Sequence, residues 1–295
     1  MNRFVTMSIH LDKIDMAIPT VIPCEKDKLP LAAVIVAIFV VSWIGTVPQV
    51  MASWVGANAV PGYIKLLQFF ILAPGVVALW AAWMNGGWAG FRQLLGRVVR
   101  WRAAWWIYAA VLLGTPAVVL ASVLISNALG FTALALSGPT QVLAGFVPTF
   151  LVYLLLNTEE LAWRGYVLPR MQSRWNPLVA ALVLGAIWTL FHAPYFFMKG
   201  GHPGGFTPLL FVLSLLPFSV LLTRTFNAAA GSVLLPHLLH QSINSWGESL
   251  PFLPRFAHSL APLTISVVIL IVLSALVVVV RPPMWRKLVV PEAVR

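Results

Sequence analysis

Charged side chains are scarce in this chain, and their scarcity defines the class of protein. Only 9% of the 295 residues are Asp, Glu, Lys or Arg, whereas 60% are apolar. An ordinary soluble domain carries about 25% charged residues, so this composition excludes a water-soluble globular fold. Apolar stretches of about twenty residues recur along the chain, which is the length that a helix needs to cross a bilayer. The sequence therefore predicts an all-α, polytopic membrane helix bundle.

Cysteine is almost absent, and the chain start lacks an apolar core. The single cysteine, Cys24, excludes an internal disulfide. The first thirty residues contain four carboxylates and no continuous apolar stretch, so we expect a tail rather than a cleaved signal peptide. Residues 1–30 and 282–295 are predicted to be cytoplasmic tails on either side of a transmembrane bundle at 31–281.

The apolar stretches predict about eight membrane spans, with the functional site inside the bundle. The spans are predicted at Leu31–Met51, Tyr63–Met84, Ala104–Ser126, Val142–Met171, Pro177–Met198, Phe206–Phe226, Ala229–Trp246 and Ser259–Val280. The seventh is the least apolar, because several polar residues lie within it. A stretch rich in arginine and tryptophan, from Gly86 to Arg102, is typical of an amphipathic segment at the membrane surface.

The net charge of +11 would suit a nucleic-acid partner, but the positions of the charges indicate a lipid bilayer instead. If the N-terminus is cytoplasmic, sixteen of the nineteen Lys and Arg residues fall on the cytoplasmic side. Such an asymmetry predicts that both termini are cytoplasmic. We therefore expect a multi-pass protein of the cell membrane and no nucleic-acid partner.

Acidic residues inside the bundle are the first indication of a functional site. Between Lys28 and Gly247 only Glu159 and Glu160 are acidic, and they are adjacent in the fourth predicted span. A carboxylate at bilayer depth costs several kcal/mol, so such residues are usually functional or paired with a buried cation. Arg164 lies four positions after Glu160 on the same helix face, which predicts an ion pair. Glu159 points away from Arg164 and is predicted to have a functional role.

Three histidines also lie within predicted spans: His192, His237 and His240. Glu159 and His192 are equally distant from the predicted turn near Trp175, so they should meet across an antiparallel hairpin. His240 should lie at the same depth, about 20–25 Å along its own helix from the cytoplasmic turn at 1.5 Å per residue. Asn244 follows His240 by one helical turn on the same face, and His237 is predicted to support this group.

These side chains suit the hydrolysis of an amide. A carboxylate and an imidazole on facing helices can hold a water molecule, and the carboxylate can remove its proton. A second imidazole and an amide N–H₂ can donate hydrogen bonds to the oxyanion of the tetrahedral intermediate. No serine or cysteine has the surroundings of a nucleophile, and the HExxH pattern of zinc peptidases is absent.

At these residues the sequence resembles the CAAX-protease and bacteriocin-processing (Abi) family, which includes the type II CAAX prenyl endopeptidases. Its EExxxR, aromatic-xxx-His and HxxxN motifs correspond here to EELAWR from Glu159, WTLFH ending at His192, and HQSIN from His240. The motifs occur in the family's order within about residues 145–247. One departure is Trp188, where phenylalanine is usual, and this exchange bears on the shape of the pocket.

The resemblance implies roles for single residues. Glu159 and His192 would activate the water, His240 and Asn244 would bind the oxyanion, and Glu160 with Arg164 would support them. The implied substrate is a peptide or protein tail near the membrane, with or without a lipid group. A zinc ion held by His192 and His240 is an open alternative. A metal-free mechanism is favoured because asparagine is an uncommon zinc ligand and a natural oxyanion donor.

Two other classes of protein also place polar clusters inside a membrane. An ion-coupled transporter uses buried Glu, Arg and His, but would be expected to show related halves with broken helices at matching positions, and the sequence has no such repeat. A non-catalytic immunity or scaffold protein would use the bundle surface. The intact set of motifs favours the peptidase over both.

The predicted topology can be tested with reporter fusions. A fusion after Arg174 should report the cytoplasm, and fusions after Gly138 and Gly201 should report the opposite side. The assay is the paired activity of an alkaline phosphatase and a fluorescent-protein reporter at each position. A cytoplasmic reading at Gly138 would contradict the predicted number of spans.

Overall fold

The computed structural model describes residues 27–56 and 71–280, and these residues form a helical bundle without strands. This architecture confirms the predicted all-α class. The helices are α1 (Leu31–Val55), α2 (Ala73–Gly96), α3 (Trp105–Ala128), α4 (Pro139–Leu156), a π-helix (Leu161–Val167), α5 (Leu168–Gln172), α6 (Pro177–Phe191), a 3₁₀-helix (Ala193–Phe197), α7 (Pro208–Ala228), α8 (Leu234–Ser249), the short α9 (Pro254–Ala257) and α10 (Ala261–Val280).

Six stretches of the described chain are long and apolar enough to cross a membrane. They contain α1, α3, α4, α6 with the 3₁₀-helix, α7 and α10. The other two predicted spans coincide with α2, whose predicted start lies outside the described residues, and with α8. Helix α8 has 16 residues and carries the polar side chains of the seventh predicted span. About eight helices therefore form the bundle, while the predicted tails lie almost entirely outside the described residues.

Two segments differ from the predictions at their ends. Helix α8 begins at Leu234 instead of Ala229, because Ala230 and Gly231 adopt positive φ angles of 49° and 76° in the preceding turn. Helix α2 continues into the predicted surface segment as far as Gly96, with a kink at Gly87, where φ is 58°. Glycine adopts this backbone conformation without the steric cost of a Cβ atom.

The fourth predicted span is interrupted and does not form one continuous helix. Helix α4 ends at Leu156, and residues 157 and 158 are not helical. The chain resumes a helical path at Glu159 and passes through the π-helix into α5. The side chain of Asn157 stabilises the new helical start, since its Oδ1 accepts a hydrogen bond of 2.9 Å from the backbone N–H of Glu159.

The segments before and after this break run in the same direction past α8. Before the break, the ring of Phe146 stacks on Trp246 near the end of α8, with centroids 4.3 Å apart. After the break, Gly165 approaches Val233 at the start of α8. Both segments are therefore antiparallel to α8, and together they form one interrupted crossing. The break places two carboxylates in the interior of the bundle.

A contact with the start of α2 fixes the position of the break. The Thr158 hydroxyl accepts a 2.9 Å hydrogen bond from the backbone N–H of Gly75 and donates one of 3.0 Å to the carbonyl of Leu72. The N–H of Gly75 is in the first turn of α2, where it has no partner within the helix. A Cβ atom at Gly75 would lie 2.6 Å from Cβ of Thr158, so the approach requires glycine.

Candidate active site

The carboxylate of Glu160 is fully buried and joins two helices. Its Oε1 accepts a hydrogen bond of 3.0 Å from Nη1 of Arg164, as the spacing predicts. The same oxygen accepts a bond of 2.9 Å from Nδ1 of His240 on α8. Glu160 and Arg164 both have an exposed fraction of 0%. A buried ion pair is tolerated when further hydrogen bonds satisfy its polar atoms, and His240 supplies one of them.

Arg164 extends this group to α6 and α7. Its Nη2 donates to the Ser219 hydroxyl at 3.1 Å, and that hydroxyl donates to the backbone carbonyl of Ala181 at 2.8 Å. Its guanidinium also lies over the indole ring of Trp188, 4.7 Å from the centroid, in a cation–π contact. The role of Ser219 was not predicted, because a serine in an apolar helix is usually bonded within that helix.

Glu159 lies at the start of the second helical segment and faces α6. Its Oε2 accepts a hydrogen bond of 2.5 Å from the indole N–H of Trp188, and its Oε1 accepts one of 3.3 Å from the amide of Asn157. The same Oε2 lies 4.0 Å from Nε2 of His192. The structure thus brings together the two residues that the hairpin spacing pairs.

The tautomer of His192 follows from its surroundings. The residue ends α6, and its Nδ1 lies 2.9 Å from the backbone carbonyl of Trp188. A carbonyl oxygen can only accept, so Nδ1 carries the proton of the neutral ring, and Nε2 presents a lone pair towards Glu159. A separation of 4.0 Å is too long for a direct hydrogen bond but suits one bridging water molecule.

His240 is oriented in the same way. Its Nδ1 is directed at the Glu160 carboxylate, and its ring meets the Trp188 indole edge-on with centroids 5.0 Å apart. An ionised carboxylate is only an acceptor, so Nδ1 of His240 carries a proton. Trp188 therefore contacts Glu159, Arg164 and His240, and its own carbonyl orients His192.

The two other predicted site residues of α8, Asn244 and His237, have different surroundings. Within the described residues, the half-buried side chain of Asn244 has no hydrogen-bond partner. His237, in contrast, is fully engaged. Its Nε2 lies 2.9 Å from the carbonyl of Leu154 at the end of α4, and its Nδ1 accepts a bond from Gln241. His237 thus satisfies a carbonyl that the break in the fourth span leaves without a helical partner.

A zinc centre would need three or more suitable donor side chains close together. Each of the two histidines has its Nδ1 bonded to an oxygen, which is common for metal-binding histidines. Among residues 27–56 and 71–280, however, no three His, Cys, Asp or Glu side chains lie close enough together to hold an ion. The Oε2 of Glu159 is already bonded to Trp188. As arranged, these described residues do not form a metal site.

Fold and site together define a multi-spanning helical membrane protein with a buried Glu/Arg/His cluster. A family model described as "Type II CAAX prenyl endopeptidase Rce1-like" matches residues 138–246. A curated relative, CAAX prenyl protease 2 of Methanococcus maripaludis, is 33% identical over 143 residues, which cover 45% of this chain and 53% of that protein. The chain thus spans about half the length of that relative. The predicted resemblance is confirmed, since residues 138–246 of this chain match the Rce1-like family model.

The buried cluster predicts unequal effects of substitution on stability. Glu160→Gln or Arg164→Ala should each leave a charge unpaired inside the bundle and destabilise the fold by about 3–5 kcal/mol. The matched control is Arg92→Ala, since Arg92 is exposed on α2, away from the cluster, and should tolerate the change. Thermal unfolding of each purified variant in detergent measures the difference. Unfolding of both cluster variants at the wild-type temperature would contradict the role of the pair.

Proposed function

We propose that this chain is an intramembrane endopeptidase that hydrolyses peptide bonds of membrane-associated peptides or protein tails. The observation that carries the proposal is the half-buried Glu159 carboxylate, which Trp188 holds at 4.0 Å from Nε2 of His192. A water molecule between these two groups would donate one hydrogen bond to each. Its lone pair is then free to attack the carbonyl carbon of a bound peptide.

Proton transfer follows from this geometry. As the new C–O bond forms, Glu159 takes a proton from the water. When the tetrahedral intermediate collapses and the C–N bond breaks, Glu159 returns that proton to the leaving amine. The hydrogen bonds from Trp188 and Asn157 restrict the rotation of the Glu159 side chain. A base fixed in this way needs little reorganisation before each transfer.

His240 and Asn244 form the proposed oxyanion site. The Asn244 amide has no partner among the described residues and is available as a donor. His240 can donate from Nε2 only when the ring carries both protons, because Nδ1 already donates to Glu160. The cationic ring would balance the cluster, since Glu159, Glu160, Arg164 and protonated His240 together carry no net charge. Such pre-positioned donors are typically the largest single contribution to catalysis.

Trp188 distinguishes this chain from the family pattern, in which phenylalanine is usual. A phenylalanine ring could fill the same space but has no N–H for Glu159. We propose that Trp188 is a positioning residue, because it holds the base through its indole N–H and orients His192 through its carbonyl.

The proposed substrate class is inferred from the names of the matching relative and family, together with the position of the site inside the membrane bundle. The matching relative is named a CAAX prenyl protease, and the family description names prenyl endopeptidases. We propose a peptide tail held near the bilayer, with a prenyl group as the expected lipid modification. The positions of the basic residues support a cell-membrane protein with both termini in the cytoplasm. The mechanism is proposed to work without a metal or other cofactor.

Replacement of the base tests this function. Glu159→Gln keeps the shape of the side chain but cannot accept the proton, so turnover should fall by about 10² or more. Mass spectrometry of peptides cut by the purified protein in detergent measures turnover, and thermal unfolding verifies the fold. Glu248→Gln is the matched control, because Glu248 lies at the end of α8 and forms an ion pair with Arg255. Undiminished cleavage by Glu159→Gln would contradict the mechanism.

A further inference from the structure

A second cavity lies outside the candidate active site. Its volume is about 1300 Å³, and it is enclosed by residues 27–31, by α2 around its kink, and by residues 165–174. None of the four proposed catalytic residues lines it. Gly165, which directly follows Arg164 in the chain, is among its lining residues. The proposed peptidase mechanism does not use this cavity.

Positive charge dominates the cavity wall. Four cationic residues line the cavity: Lys28, Arg97, Arg170 and Arg174. Asp27 is the single carboxylate in the lining. The carboxylate is already engaged, because Asp27 accepts hydrogen bonds of 3.1 and 3.3 Å from Nε and Nη2 of Arg170. Two arginines and a lysine therefore face the cavity without an ion-pair partner among the described residues.

Arg97 is the most constrained of these cations. It is 7% exposed, and within the described part of the chain no carboxylate lies at ion-pair distance. Its Nη1 donates to the carbonyl of Gly165 at 3.1 Å, which fixes the guanidinium at the cavity wall. Burial, together with repulsion from Arg100 and Arg170, lowers the pKa of Arg97 to about 10. The residue thus stays cationic at neutral pH, in a position where an isolated charge is costly.

We infer that this cavity binds a phosphate group through Arg97 and Arg174, beside the Arg170–Asp27 pair. The planar guanidinium group matches the oxygens of a phosphate and forms strong charge-assisted hydrogen bonds with them. Two sources share this chemistry: the headgroup of an anionic phospholipid and a free phosphate. Arg97, Arg170 and Arg174 line the cavity, and the predicted topology places all three on the cytoplasmic side, where anionic lipid is the expected neighbour.

The experiment measures the thermal unfolding midpoint of the full chain in nanodiscs. Phosphatidylcholine discs are compared with discs that contain phosphatidylglycerol, and with phosphatidylcholine discs to which inorganic phosphate is added. A bound phosphate stabilises the folded state by mass action, and a midpoint shift of about 3 °C or more is expected. A shift with phosphatidylglycerol alone identifies the lipid headgroup, whereas a shift with inorganic phosphate identifies free phosphate.

Three variants distinguish the cavity from general surface charge. Arg97→Gln and Arg174→Gln should each lose most of the shift. Arg92→Gln is the matched control, because Arg92 is exposed on α2, the helix that Arg97 directly follows, and does not line the cavity. It should keep the full shift.

Filling the cavity with a larger side chain tests the inference without removing a charge. Gly86 lines the cavity, and a Cβ atom there would have no neighbour within 4 Å, so Gly86→Leu should fold and fill part of the space. This variant should also lose the shift. The inference is overturned if neither phosphatidylglycerol nor phosphate raises the midpoint, or if Arg97→Gln, Arg174→Gln and Gly86→Leu all retain the wild-type shift.

Discussion

One fully buried carboxylate oxygen inside the bundle organises the candidate site. The Oε1 of Glu160 bonds both to Arg164, one turn further along its own segment, and to His240 on α8. Burying the Glu160 carboxylate without such partners would destabilise the fold by several kcal/mol. The loss of either partner would therefore leave a buried charge incompletely compensated. Arg164 carries the constraint on to α7 through Ser219. The cluster therefore fixes the relative position of three crossings before any substrate is bound.

Because the fourth span is interrupted, Glu159 has different hydrogen-bond partners from its neighbour Glu160. In a continuous helix, adjacent residues point about 100° apart, and one of two neighbouring carboxylates would lack a buried partner. Here the chain restarts at Glu159, and Asn157 and Trp188 satisfy the carboxylate without neutralising it. Discontinuous helices also occur in transporters, but there they come in related pairs. This break is instead fixed to α2 by Thr158.

Much of the site could be predicted because it depends on local spacing. The ion pair of Glu160 and Arg164 follows from a separation of four residues, and the meeting of Glu159 with His192 follows from equal distances to one turn. The break at residues 157–158 could not be predicted, because Asn157 and Thr158 act through a hydrogen bond to the chain and a contact with a distant helix. The indole bond from Trp188 to Glu159 depends on side-chain rotamers. The basic cavity likewise depends on tertiary packing between segments far apart in sequence.

The central claim is that Glu159 and His192 activate water for peptide hydrolysis without a metal. Peptide cleavage by metal-stripped wild-type protein, with metal content measured on the same sample, tests it most directly. Exhaustive chelation should leave the cleavage rate unchanged while the protein contains far less than one ion per chain. Loss of cleavage on chelation, with recovery when zinc is returned at one ion per chain, would contradict it.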